Sequence, residues 1–154
     1  MLTKSPLKVV LADARYEHYL QLKHLLTRRC AGYCHLFWFG NGQECMQGLC
    51  SGHFDLALVD QNASTPILLN NIKTIPHHTP IVLMVDAVTR DRAMEASYSG
   101  LFGLLDKHHF DEVALGYYLA CAELFHQEEL EAGFFADVTM LGHTRWQHGY
   151  TFIH

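Results

Sequence analysis

The sequence predicts an α/β protein with a doubly wound parallel sheet, and three observations lead to this fold class. Short apolar runs alternate with longer segments of helical periodicity along most of the chain. Turn-forming residues separate these segments, for example Gly40, Asn41 and Gly42. The length of 154 residues suits one domain with a sizeable core. Strands that alternate with helices form a parallel sheet with right-handed crossovers and helices on both faces.

The pattern divides into five strand–helix units. Strands are predicted over residues 7–13, 35–39, 55–60, 80–87 and 101–107. Helices are predicted over residues 16–29, 43–51, a segment that opens at Pro66, 89–99 and 110–131. Pro66 suits the first turn of its helix, where the missing N–H would have no partner in any case. The first helix is amphipathic, because four of its apolar residues share one face: Tyr19, Leu22, Leu25 and Leu26.

Composition narrows the functional class. Hydrophobic residues make up 49% and charged residues 18% of the chain, as in an ordinary soluble globular protein. The formal net charge of −5 argues against general nucleic-acid binding, which needs a positive field to replace the phosphate counterions. No apolar run approaches the roughly 18 residues of a membrane span, and the N-terminus lacks the features of a signal peptide. We therefore expect a cytoplasmic protein that acts without nucleic acid or membrane.

The cysteines do not indicate a disulfide framework or a zinc site. They form an odd set without a CxxC pair, as expected for reduced thiols: Cys30, Cys34, Cys45, Cys50 and Cys121. Cys30, Cys34 and His35 have the spacing of half a zinc site, but no second ligand pair follows at finger-like spacing. We therefore do not assign zinc.

Charged residues stand at or next to the carboxyl ends of four predicted strands. The run DLALVDQN carries a buried strand onto Asp60, and Asp13, Asp86 and Lys107 follow three other strands. A carboxylate is costly inside a core, so each should lie where its strand emerges. In sheets of this kind ligands bind outside the carboxyl ends of the strands. The four residues are either a site at this edge or strand-end acids with a lysine as their counter-ion.

This arrangement resembles the receiver domain of bacterial response regulators in two-component signalling. The segments that carry the resemblance are KVVLAD with Asp13, DLALVDQN with Asp60 and GLLDKHH with Lys107, within residues 7–126. The resemblance implies a flavodoxin-like (βα)5 fold with strand order 2-1-3-4-5. It also implies that Asp60 accepts a phosphoryl group and that Lys107 pairs with Asp60 or its phosphate. The implied magnesium ligands are Asp13, Asp60 and the main-chain carbonyl of Asn62, consistent with the oxygen ligands that Mg²⁺ prefers.

The sequence departs from the receiver pattern at three positions. Ala12 replaces the first acid of the usual pair, which predicts weakened magnesium binding. Counting from Pro80 forward and from Lys107 back places Val85 where the family has a Ser or Thr that bonds the phosphoryl group. A valine donates no hydrogen bond, so switching is predicted to be impaired. His108 follows Lys107 where many receivers have proline.

The C-terminal region is predicted to differ from the rest of the chain. Residues 1–131 are assigned to the receiver-like domain and residues 132–154 to a tail, or to the start of a linker to an output domain. The tail is rich in aromatic residues that suit burial against a partner, against a second copy or against their own domain: Phe134, Phe135, Trp146, Tyr150 and Phe152.

Two functions follow from the resemblance. In the first, Asp60 takes a phosphoryl group from a histidine kinase or a phosphotransfer protein, and the signal passes to an output domain or a homodimer. In the second, the chain is a degenerate receiver that serves as a phosphorylation-independent interaction or dimerisation module. An independent enzyme is not expected, because the sequence shows no second nucleophile with a general base and no glycine-rich loop that would bind phosphate.

Overall fold

A computed structural model describes residues 6–30, 34–63, 75, 79–91, 94, 100–108 and 112–132. In chain order the elements are β1 (Leu7–Ala12), α1 (Tyr16–Cys30), β2 (Cys34–Phe39), α2 (Gly42–Ser51), β3 (Leu56–Asp60), β4 (Ile81–Val85), β5 (Gly103–Asp106) and α3 (Glu112–Ala132). All five predicted strands and three of the predicted helices are confirmed.

Two predicted helices and the predicted tail lie largely outside the residues that the structure describes. Arg90, Asp91 and Met94 are helical, as the predicted helix over 89–99 requires. The rest of that helix and the helix that opens at Pro66 lie outside the described residues. Residues 133–154 also lie outside them, so the division of the chain near residue 131 stays a prediction.

The strands form one parallel sheet in the order β2-β1-β3-β4-β5, as the resemblance implied. Strands β1, β3 and β4 lie in the interior of the sheet, and nearly all their side chains are buried because both faces are covered. Strand β2 lies at an edge and is half exposed. The carboxyl ends of the five strands therefore meet along one edge of the sheet.

Side chains that alternate along the strands build a separate apolar cluster on each face. On one face Leu11, Leu58 and Met84 pack with residues of α1 and α3, including Leu22 and Leu115. On the other face a second cluster combines apolar strand residues with residues of α2: Val10, Ala12, Val59, Val85, Cys45 and Leu49. Each fully buried leucine stabilises the fold by roughly 1.5–3 kcal/mol, because its apolar surface is removed from water. These two clusters hold the strand ends in fixed relation to one another.

Local interactions define several of the element boundaries. Asn41 caps α2, because its side-chain oxygen accepts a hydrogen bond of 2.9 Å from the Glu44 backbone N–H. Gly48 allows α2 to approach β2 closely, since a Cβ at this position would lie 2.5 Å from the ring of Phe39. Tyr118 fixes α3 to the sheet through a hydrogen bond of 2.7 Å from its hydroxyl to the Leu104 carbonyl. Within the described residues, no helix is long and apolar enough to cross a membrane.

Candidate functional site at the carboxyl edge of the sheet

Two carboxylates lie side by side where β1 and β3 end. Ala12 pairs with Val59 in the sheet, so Asp13 and Asp60 occupy the next positions in register on adjacent strands. Their side chains belong to the same face, because paired residues of parallel strands point in one direction. Asp13 is fully buried and Asp60 is 5% exposed. The predicted convergence of these two acids is confirmed.

Lys107 completes the group from the end of β5. Its ammonium Nζ lies 3.1 Å from Asp60 Oδ1, and both side chains are buried. The backbone positions this lysine as well, because the Lys107 N–H donates to the carbonyl of Val85 at 3.0 Å. The predicted proximity of Lys107 to Asp60 is confirmed, whereas the catalytic roles of both residues stay predictions.

The electrostatics of the site favour the charged form of Lys107. Burial alone would lower the pKa of this ammonium group. Hydrogen bonds and charge attraction from Asp60 and Asp86 outweigh burial, so the pKa of Lys107 lies above its ordinary value of 10.5. A fixed cation therefore stands beside Asp60 at any physiological pH.

The structure corrects the position that we assigned to the missing hydroxyl. Val85 is fully buried in the apolar cluster that contains Ala12 and Val59, on the face opposite Asp60. Asp60 pairs with Met84, so position 86 is the next one on the face of Asp60. Asp86 Oδ1 lies 3.3 Å from Lys107 Nζ. The residue that follows β4 and reaches the site is thus Asp86, not Val85.

Asp86 is held by three side chains. In addition to Lys107, its Oδ2 accepts a hydrogen bond of 2.5 Å from Gln61 Nε2, and its Oδ1 lies 3.0 Å from His108 Nε2. The Asp86 backbone N–H also donates to the side-chain amide oxygen Oε1 of Gln61 at 3.4 Å. Burial alone would raise the pKa of Asp86, but the donors Gln61, Lys107 and His108 and the charge of Lys107 together outweigh it, so the pKa of Asp86 lies below its ordinary value of 3.8. We call Asp13, Asp60, Asp86 and Lys107 the edge cluster.

Asp13 already has partners of its own. Its Oδ1 accepts a hydrogen bond of 2.8 Å from the Arg15 backbone N–H, and its Oδ2 lies 2.6 Å from His18 Nδ1. The contact with His18 requires a proton on Nδ1, because an ionised carboxylate only accepts. Trp38 donates from its indole Nε1 to the main-chain carbonyl of Asp13 at 2.7 Å. The conformation of Asp13 is therefore fixed by residues of α1 and β2.

The donor set fits a magnesium site that has one carboxylate fewer than the complete receiver pattern. Asp13 and Asp60 offer hard oxygen ligands, and Asn62 lies in the turn that Ala63 N–H closes onto the Asp60 carbonyl at 2.9 Å. Ala12 lies in the apolar cluster on the opposite face of the sheet and supplies no ligand, and His18 contacts Asp13. Across the part of the chain that the structure describes, no three His, Cys, Asp or Glu side chains are grouped to hold a metal ion. The two carboxylates and the Asn62 carbonyl are the oxygen donors that a magnesium site would have here, and magnesium binding itself stays a prediction.

The predicted convergence of Asp86 with Lys107 at this edge is confirmed. Two other contacts of the site, those of His18 and Trp38, were not expected from the sequence. Asp86 follows from the alternation of side chains along β4 once the pairing of Asp60 with Met84 is known. His18 lies in the first turn of α1, five residues after Asp13, and the sequence alone does not show that its ring contacts Asp13. The contact of Trp38 depends on the pairing of β2 with β1.

Comparison with known proteins identifies the fold. The described elements define a doubly wound parallel α/β domain with an acidic group and a lysine at the carboxyl edge of its sheet. Solved structures that it resembles include a signal receiver domain and several response regulators, so the chain has the fold of these proteins. No family model and no curated protein sequence matches the chain.

Three of these structures illustrate the likeness. The signal receiver domain of an HD domain-containing protein from Pseudomonas fluorescens Pf-5 has a TM-score of 0.66 and 21% identity, over 85% of this chain and 96% of that one. The chemotaxis response regulator CheY4 of Vibrio cholerae has a TM-score of 0.64 and 20% identity, over 77% and 99%. A response regulator from Thermotoga maritima has a TM-score of 0.62 and 20% identity, over 78% and 98%.

Proposed function

We propose that this chain is a receiver domain of a two-component or phosphorelay system, in which Asp60 accepts a phosphoryl group and switching is impaired. The observation that carries the proposal is the buried ion pair between Lys107 and Asp60, with Nζ and Oδ1 3.1 Å apart. An aspartate at a strand end beside a fixed cation is suited to phosphoryl transfer, which depends on positioning and on neutralising the charge of the phosphoryl oxygens. The receiver-domain fold supports the same function.

The chemical step uses the carboxylate of Asp60 as the nucleophile. An Asp60 oxygen forms a bond to phosphorus while the bond from phosphorus to the leaving group of the donor breaks. With an acyl phosphate the leaving group is a carboxylate anion, and with a phosphohistidine it is the imidazole ring. Lys107 stabilises the added negative charge, since its ammonium group already lies in the site.

Asp13, Asp60 and the Asn62 carbonyl are the residues that would hold Mg²⁺. The ion would supply positive charge to the phosphoryl oxygens during transfer. The absence of a carboxylate at position 12 predicts that this binding is weak.

A histidine kinase or a phosphotransfer protein is the donor in this proposal, and an output domain or a second copy of the chain receives the signal. Such partners place the protein in the cytoplasm. The proposal assigns no independent enzymatic activity to the domain and no nucleic-acid partner, in agreement with the net charge of −5.

A degenerate receiver that acts as a phosphorylation-independent interaction module is the second candidate. Two contacts favour it: the Asp86 carboxylate pairs with the ammonium group of Lys107, and the His18 ring contacts the Asp13 carboxylate. In this case the edge cluster is a structural element, and the output of the domain does not depend on phosphate.

Labelling with a small acyl phosphate tests the first candidate. The full chain is incubated with acetyl phosphate and magnesium, and its intact mass is measured beside that of Asp60→Asn. We expect the addition of one phosphoryl group to the wild type and none to Asp60→Asn. A wild type that gains no phosphoryl group, or a label that survives in Asp60→Asn, would exclude Asp60 as the acceptor and favour the second candidate.

A further inference from the structure

The side chain of Asp86 places a second carboxylate on the lysine of the site. Lys107 Nζ lies 3.1 Å from Asp60 Oδ1 and 3.3 Å from Asp86 Oδ1, so one ammonium group serves two carboxylates. Asp60 is buried, whereas the Asp86 side chain is 57% exposed. A ligand that approaches Asp60 from solvent therefore meets the charge of Asp86 beside the lysine.

The position of Asp86 is fixed rather than incidental. Its two oxygens accept from Gln61 and lie beside His108, residues that directly follow Asp60 and Lys107 in the chain. The carboxylate thus ties the segment after β4 to the segments after β3 and β5. These contacts keep Asp86 on Lys107 while no other anion is present.

A phosphoryl group on Asp60 would need the same hydrogen-bond donor as Asp86, the ammonium group of Lys107. It is an anion with strong acceptor oxygens, and it needs the N–H donors of Lys107 that Asp86 engages. Like charges at short range also repel each other, which adds to the competition. A Ser or Thr at this position would instead donate a hydrogen bond to the phosphoryl group.

We infer that Asp86 is an internal anion that competes with the phosphoryl group of Asp60 for Lys107. This inference rests on the proposed function and deepens it, since it names the residue that limits occupancy of the acceptor site. Asp86 acts here as a positioning residue, because it would influence the phosphoryl group through Lys107. Removal of its charge should strengthen binding of a phosphoryl analogue to Asp60 about tenfold, equivalent to about 1.4 kcal/mol.

Tryptophan fluorescence provides the assay. Trp38 reports on the site because its indole donates to the Asp13 carbonyl. The chain has two tryptophans, so the full-length protein with Trp146→Phe retains Trp38 as its single fluorophore. Beryllofluoride, an analogue of the phosphoryl group, is titrated at saturating magnesium into this protein and into its Asp86→Asn and Asp86→Thr variants.

Asp91→Asn and Asp60→Asn are the controls. Asp91 is an exposed acid on the same segment, so its variant has the same change in net charge without a change at Lys107. Thermal unfolding of every variant verifies that it is folded. We expect tighter binding in Asp86→Asn and Asp86→Thr, unchanged binding in Asp91→Asn and loss of binding in Asp60→Asn.

The possible failures are distinguishable. Equal affinities in the Asp86 variants and the parent protein, with binding still lost in Asp60→Asn, would overturn the inference and leave the proposed function intact. An equal gain in Asp91→Asn would also overturn it, because net charge would then account for the effect. Binding in none of the proteins, or binding that survives Asp60→Asn, would overturn both the inference and the proposed function.

Discussion

Replacement of Lys107 by methionine should destabilise the domain substantially. The substitution keeps the length of the side chain and removes the ammonium group that lies 3.1 Å from Asp60. Removing one partner of a buried ion pair costs about 3–5 kcal/mol, because the other charge stays buried without compensation. Asp60 is 5% exposed and falls in this class, whereas Asp86 is mostly exposed, so its contact with Lys107 is screened by solvent and adds little.

We therefore expect a loss of about 3 kcal/mol for Lys107→Met, a large part of the total stability of roughly 5–15 kcal/mol of a small domain. Urea denaturation followed by circular dichroism measures this change. Lys8→Met is the matched control, because Lys8 is exposed on β1 and its substitution should change stability by less than about 0.5 kcal/mol.

A double-mutant cycle isolates the pair itself. Asp60→Asn neutralises the remaining buried charge, so Lys107→Met should cost at least about 1.5 kcal/mol less in that background than in the wild type. Costs that are equal in the two backgrounds would refute the ion pair as a source of stability. A loss for Lys107→Met that does not exceed that for Lys8→Met would refute the magnitude derived from burial.

Three further predictions follow from the same structure. Ala12→Asp should lower stability, because Ala12 is fully buried in the apolar cluster on the face opposite Asp60 and an aspartate there would have no partner. Urea denaturation measures this loss, and unchanged stability would contradict the placement of Ala12. Folding raises the pKa of Lys107, so the charged lysine stabilises the domain fully below about pH 10.5, and this stabilisation is lost as the pH rises through the pKa of the folded state. Urea denaturation at increasing alkaline pH should show this loss of stability in the wild type and not in Lys107→Met. Burial raises the pKa of the Cys45 thiol to about 12, whereas Cys50 is exposed. Alkylation of the native protein at pH 8, followed by mass spectrometry, should therefore modify Cys50 well before Cys45. Equal rates of alkylation would contradict the burial of Cys45.

Much of the fold was predictable because hydrophobic patterning and chain punctuation agree. The runs around Leu58 and Val82 read as buried strands, and both strands are interior in the sheet. The capped turn at Asn41 separates β2 from α2 where the sequence indicated a turn. Strand order came from the resemblance, since alternation alone defines a parallel sheet without ordering its strands.

The site was predictable only in part. Asp13, Asp60 and Lys107 follow directly from strands, so a parallel sheet brings them to one edge. Counting residues from Pro80 and from Lys107 indicates position 85, but a count along the chain does not establish which face of the sheet that position occupies. Because the period of a strand is two residues, a shift of one residue exchanges Val85 for Asp86 and reverses the chemistry of the position.

The contact between His18 and Asp13 depends on how α1 packs beside β1. A helix that starts three residues after Asp13 brings its first turn near the strand end, but the rotation of that turn is set by packing of residues such as Leu22 in the core. Such packing is a property of the whole domain, so the sequence around Asp13 does not specify it.

Fluorine NMR of the beryllofluoride complex is a direct test of whether the edge cluster receives a phosphoryl group at Asp60. Bound and free fluoroberyllates give separate ¹⁹F signals, so the spectrum of the full chain with magnesium reports occupancy of the site. We expect bound signals in the wild type and in Asp91→Asn, stronger bound signals in Asp86→Asn at the same ligand concentration, and none in Asp60→Asn. Bound signals that persist in Asp60→Asn, or that are missing from both the wild type and Asp86→Asn, would contradict this role of Asp60.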